Sequence, residues 1–164
     1  MSKQLDATEF FKMMAANEKT VAAFYRQVAS DAKVGAAFFE KLAKDEDRHF
    51  DIYTALLKKN EGTKGLSVEV SEDQAAYIKL LVENNMLKDA DKLLQKAAKS
   101  SDRDEIFDLA ERAERDSVLY VEELITLFPN MQTEDFKIVL KEEKDHLAQV
   151  LNRRMENKMT SLRL

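Results

Sequence analysis

The chain has 164 residues, a length that fits one ordinary domain with a full core. With only three glycines and one proline, an all-β sandwich, collagen-like repeats and low-complexity disorder are excluded. Twenty-six basic against 31 acidic side chains leave a formal charge of −5, a poor match to nucleic acid or an anionic membrane.

The N-terminal segment MSKQLDATEFF has no apolar stretch of the secretory kind, and no uncharged apolar run reaches bilayer-spanning length. A soluble, cytoplasmic chain is therefore expected. The first helix is predicted from about Thr8 to Ala32, with Asp6 and Glu9 spaced as a capping box. Phe11, Met14, Val21, Phe24, Tyr25 and Val28 recur at helical spacing along it. A break at Asp31–Gly35 leads to a second helix from about Val34 to Asn60, with its apolar stripe on Phe38, Phe39, Leu42, Phe50, Tyr53, Leu56 and Leu57. Gly62 and Gly65 suit the turn that ends it. Val68 and Val70 suggest a short extended piece, then Asp73 to Met86 and Lys88 to Lys99 read as shorter helices. A third long helix is expected from Ser101 or Asp102 to Leu127, stopped by Pro129 and Asn130. Thr133 is expected to cap a fourth, from about Glu134 to Met159, with a frayed tail behind it.

This order predicts an all-α, ferritin-like four-helix bundle forming a single domain over residues 1–164. Helical hairpins at 8–60 and 102–159 are joined by a long crossover at 61–101 that contains additional short helices.

The only two histidines, His49 and His146, each lie three residues after a glutamate, Glu46 and Glu143. Residues i and i+3 share a helix face, so each pair can reach one cation. Glu18 and Glu114 sit at matching places on the preceding arms, 28 and 29 residues before those glutamates. The turn between arms lies at similar distances from each member, so both sets meet at similar heights. A lone Glu-x-x-His is more often a solvated helix face; its duplication, and the position of Glu18 among Met14, Val21 and Tyr25, favour a buried metal centre. The ligand set is Glu18, Glu46, His49, Glu114, Glu143 and His146, the pattern of di-iron and di-manganese carboxylate bundles. Without cysteine there is no thiolate zinc site, iron–sulfur cluster or thiol nucleophile. Four carboxylates and two imidazoles suit two iron ions or manganese, and zinc less well. Two carboxylates bridging the ions would hold them about 3.5–4 Å apart.

Around that set, Asp45 and Glu142 read either as acceptors for the free N–H of the opposite histidine or as ordinary exposed acids. Glu111 is an extra ligand or a solvated acid, the latter favoured. Tyr25 is placed to hydrogen-bond a bound oxygen species, whereas Tyr53 and Tyr120 fit plain core packing better.

The segments NEKTVAAFYRQVA, FFEKLAKDEDRHF, AERDSVLYVEEL and FKIVLKEEKDHLAQVL make the chain resemble the rubrerythrin-like branch of the ferritin superfamily. The resemblance implies a non-haem di-iron oxidoreductase, a peroxidase that reduces hydrogen peroxide or O₂ in oxidative-stress protection. It implies the same six ligands; Tyr25, about two turns beyond Glu18, is expected from its position to be the catalytic group beside them. The cysteine-rich rubredoxin domain of rubrerythrins has no counterpart here, so an external donor such as a rubredoxin-type protein is expected to supply electrons. Ser117 stands where the family carries a further glutamate, and Asp47 where bacterioferritins place a haem methionine. A homodimer is expected. Ferroxidation with iron storage, and a metal-free helical interaction module, are the competing readings.

Overall fold

A computed structural model of the chain describes residues 2–30, 35–100, 102–131 and 134–162. Four long helices dominate it: α1 (Thr8–Ala29), α2 (Ala36–Asn60), α5 (Arg103–Leu127) and α6 (Glu134–Ser161). Between α2 and α5 come strand β2 (Ser67–Ser71), α3 (Glu72–Glu83), a 3₁₀ turn at Met86–Lys88 and α4 (Ala90–Lys99). Strand β1 (Ser2–Asp6) precedes α1 and pairs antiparallel with β2, Leu5 opposite Val68 and Lys3 opposite Val70. No helix among the described residues is long and apolar enough to cross a membrane.

Cross-helix contacts fix the chain directions. Tyr25 stacks near Phe39 while Lys19 lies over Phe50, so α1 and α2 run antiparallel. Asp104 meets Asn157 while Glu122 pairs with Lys144, so α5 and α6 do too. Tyr25 reaches Glu114 and Phe10 packs edge-on to Tyr120, which sets α5 antiparallel to α1. The second hairpin therefore starts at the end of the molecule opposite to the one where the first hairpin finishes. Only a connection that climbs the full length can join them, which is the task of residues 61–102.

The apolar stripes bury into two clusters rather than one. Phe10, Phe11, Met14, Tyr53, Val121, Leu124, Phe136 and Val139 form the first. Val21, Phe24, Tyr25, Phe39, Leu42, Phe107, Ala110 and Val150 form the second. Each fully buried aromatic or leucine contributes roughly 1.5–3 kcal/mol relative to exposure. Along every long helix the two clusters are separated by about two to three turns that carry the buried polar residues: Glu18 lies between Ala15 and Val21, and Glu114 between Ala113 and Tyr120. A polar layer thus cuts the core across its middle.

Several local expectations need correction. The capping box at Asp6 and Glu9 does not form. Asp6 closes strand β1 and accepts from the Thr8 amide at 2.9 Å and its hydroxyl at 2.6 Å, while Glu9 pairs with Lys12. Ala7 sits at the cap position and offers no side-chain acceptor. The first helix ends at Ala29, and α6 ends at Ser161, two residues past the expected end. The Asp73–Met86 helix is shorter, stopping at Glu83 before the 3₁₀ turn. The extended piece at Val68 and Val70 is present as β2, and Gly62 takes the left-handed φ of +70° that its turn requires. Of the expected break at Asp31–Gly35 only Gly35 is described, at the cap position of α2 with φ +97°; residues 31–34, the start at Ser101 and the Thr133 cap lie outside the described residues.

Candidate metal centre

Each long helix contributes to the polar layer from its inward face: α1 gives Glu18, α2 gives Glu46 and His49, α5 gives Glu114, and α6 gives Glu143 and His146. All six side chains are buried, none more than 2% exposed. Their donor atoms form two groups, within each of which all atoms lie within 4.8 Å of one another. Glu18, Glu46, His49 and Glu143 make the first; Glu46, Glu114, Glu143 and His146 make the second. Glu46 and Glu143 belong to both, while each histidine and each first-arm glutamate belongs to one. Either cluster can hold a metal ion.

The two imidazoles lie with ring centroids 5.8 Å apart and planes inclined by 27°. Both turn Nδ1 inward. His49 Nδ1 is 2.9 Å from Glu143 Oε1, 3.2 Å from Glu46 Oε2 and 3.9 Å from Glu18 Oε2. His146 Nδ1 is 3.1 Å from Glu46 Oε1 and 3.7 Å from oxygens of both Glu114 and Glu143. Short as these separations are, many of the atoms make no hydrogen bond. Glu18 Oε2, Glu46 Oε1, Glu114 Oε2, both oxygens of Glu143 and His146 Nδ1 are buried without a hydrogen-bond partner. Leaving a buried polar atom unpaired costs about 1–3 kcal/mol, more when it is charged. Six such atoms in one layer converge on shared points instead of on each other, the arrangement that a cation satisfies.

The outward nitrogens are held. His49 Nε2 donates to Glu142 Oε2 at 2.9 Å, and His146 Nε2 donates to Asp45 Oδ2 at 3.2 Å. Asp45 and Glu142 are thus acceptors for the opposite histidine, not free surface acids. With Nε2 committed as donor, Nδ1 is the nitrogen whose lone pair is available to a cation. Lys41 also pairs with Asp45 at 2.9 Å; burial raises the Asp45 pKa, but Lys41 and His146 outweigh it and hold it below the ordinary value.

The crowding of charge is plain in the proton affinities. Burial, then the carboxylates of Glu143 and Glu46, push Glu18 well above an ordinary glutamate. Burial and Glu46 raise Glu114 to about 8, against the opposing contact of His146. Glu46 moves the other way: burial raises it, but the close imidazoles of His146 and His49 prevail and hold it well below 4.5. His49 is lowered by burial, yet its contacts with Glu143 and Glu46 lift it to about 10. For His146, contacts with Glu114, Glu143 and Glu46 likewise overcome burial and raise it.

The outlying candidates divide. Tyr25 donates its hydroxyl to Glu114 Oε1, with both groups buried. Glu111 stays out of the centre: it bonds Arg115 Nε at 3.0 Å and Arg154 across to α6. Tyr120 packs edge-on against Phe10, ring centroids 6.0 Å apart, as a core aromatic. Ser117 is buried beside the layer. Tyr53 stacks near Phe136 as expected of a core ring, but its buried hydroxyl has no partner. Burial and the charges of Glu18, Glu143 and Glu46 raise its pKa well above 10. That hydroxyl and the role of Arg48, which bonds both Asp45 and Glu142, were not apparent from sequence. The Arg48–Asp45 spacing of three was visible on one helix; the link to Glu142, 94 residues away, needed the fold.

Comparisons with protein-family models, curated proteins and solved structures returned no match to this chain.

Proposed function

We propose that the chain is a ferritin-like di-iron carboxylate protein of rubrerythrin type that reduces hydrogen peroxide or O₂ with electrons from an external donor. The observation that carries this reading is the pair of donor clusters sharing Glu46 and Glu143, with orphaned carboxylate oxygens between them. Two shared carboxylates, one private carboxylate and one private imidazole per position give two adjacent ions a nearly equivalent oxygen-rich environment. Four carboxylates balance two divalent charges, and the donors suit iron or manganese. Two antiparallel helical hairpins joined by a full-length crossover are compatible with a ferritin-like bundle, which supports the same reading.

Iron held by these six residues would pass electrons from the external donor to peroxide, which takes two electrons and two protons to give two waters. The protein's own groups provide the rest. Asp45 and Glu142 hold the imidazoles with Nδ1 inward. The apolar clusters on both sides of the layer keep bulk water away, which strengthens every charge interaction inside. Tyr25 keeps a proton at its buried hydroxyl, donated to Glu114, and would be the group that hydrogen-bonds an oxygen species bound there.

Elemental analysis and an optical spectrum of protein loaded with Fe²⁺ test this reading first. About two iron ions per chain are expected, with a near-ultraviolet charge-transfer band that grows in once air oxidises the bound iron to Fe³⁺ and that is absent in Glu46→Ala. Rapid peroxide consumption driven by a reduced rubredoxin-type protein separates peroxide reduction from ferroxidation. Oxygen-driven iron deposition in a multi-subunit particle would favour ferroxidation and storage. A chain that binds no Fe²⁺, Mn²⁺ or Zn²⁺ would leave only a helical interaction module.

A further inference from the structure

We propose that Arg48 is a positioning residue that couples the two histidines of the centre. Its Nη2 donates to Glu142 Oε2 at 2.8 Å and to Asp45 Oδ1 at 3.2 Å. Glu142 receives His49, and Asp45 receives His146. A continuous chain therefore runs His146–Asp45–Arg48–Glu142–His49, crossing from α2 to α6 and touching both histidines at their outward nitrogens.

The chain has one keystone and no duplicate. The corresponding position of the second Glu-x-x-His, three residues after Glu142, is Asp145, an exposed acid. Lys41 is the only other lysine or arginine on these two carboxylates among the described residues, and it reaches Asp45 alone. Arg48 itself is about half exposed, whereas Asp45 and Glu142 are about three-quarters covered and the histidines are buried. A guanidinium at the rim thus neutralises two partly buried acids that would otherwise repel each other. Without it those acids move apart, and each takes with it the imidazole it holds. Removing one side chain from α2 then loosens a histidine on α2 and another on α6 together. A carboxylate variant behaves differently: Asp45→Asn leaves the Glu142–His49 contact in place.

The coupling of the histidines concerns the protein's own groups, while its effect on metal affinity rests on the reading proposed above, so the test has two arms. In the first, metal-free Arg48→Gln and Arg48→Lys full-length proteins are compared with the parent by ¹⁵N-edited NMR of the imidazole nitrogens. Arg48→Gln is expected to speed solvent exchange of both Nε2 protons on the order of tenfold. Arg48→Lys, which keeps the cation, should hold both near the parent, and Asp45→Asn should disturb His146 alone. In the second arm, Co²⁺ titration followed by calorimetry should show both binding steps weakened about tenfold in Arg48→Gln. Circular dichroism establishes that each variant is folded, which a half-exposed substitution allows. The proposal is overturned if Arg48→Gln disturbs one histidine or neither, or if the lysine variant is no better than the glutamine. Coupled imidazoles in a protein whose parent form binds no Co²⁺ would support the coupling and overturn the metal centre instead.

Discussion

Loading the centre with two divalent cations should expel up to four protons at neutral pH. Glu114, held at about 8, and Glu18, held well above an ordinary glutamate, carry protons in the metal-free protein. His49, at about 10, and His146, also raised, each carry an extra ring proton. A cation accepts only deprotonated ligands, so each of the four groups must release one. With ordinary proton affinities the same four groups would release only about half a proton at pH 7. Anaerobic titration with Fe²⁺ or Co²⁺ in weak buffer, with an indicator dye recording protons per metal bound, measures the difference. A total of about one or less would refute the argument, because at least three of the four groups would then already be deprotonated inside the protein. The same groups set the pH dependence of the metal-free fold. Their affinities are raised on folding, so their stabilisation is complete below about 4.5 for the glutamates and 6.5 for the histidines. It drains away as pH rises through about 8 for Glu114 and about 10 for His49. Each proton held in excess costs about 1.4 kcal/mol per pH unit, or about 3–6 °C of Tm for a chain this size. Calorimetric scans should show the metal-free Tm falling between about pH 6 and 9 while the loaded Tm does not.

Further outcomes follow from the geometry. Because Glu46 and Glu143 serve both clusters, alanine at either should abolish both metals by elemental analysis, whereas Glu18→Ala or Glu114→Ala should leave about one ion per chain. Tyr53→Phe deletes a buried hydroxyl that has no partner and should raise unfolding free energy by about 1 kcal/mol; a loss of that size by urea denaturation would mean the hydroxyl is bonded. Asn17 and Asn85 exchange amide hydrogen bonds of 3.2 and 2.7 Å, tying α1 to the crossover. Asn17→Ala should cost about 1–3 kcal/mol in the same assay, and an unchanged midpoint would dismiss the clasp.

Much of the arrangement was legible in order along the chain. Helical periodicity placed the four long helices to within a few residues, because their stripes of Phe, Leu, Val and Met repeat over six or more turns. The duplicated Glu-x-x-His and its matching first-arm glutamates nominated six residues that the fold does bring together. Strand β1 was not legible, since SKQLD carries a single apolar residue and becomes a strand only by pairing with β2 across 60 residues of intervening chain. The failed capping box has the same origin: pairing in the sheet fixes the Asp6 backbone and turns its carboxylate toward Thr8.

Sequence by itself determined the helices, the spacing of acid and imidazole along each, and the exclusion of thiolate chemistry, because these depend on residues within a few turns of one another. The tertiary structure decided the partners across helices. It gave Glu142 to His49 and Asp45 to His146, shared Glu46 and Glu143 between two clusters, and joined the halves through Arg48. Those choices depend on the relative height and rotation of separate helices, which packing of the two apolar clusters sets and no local pattern encodes.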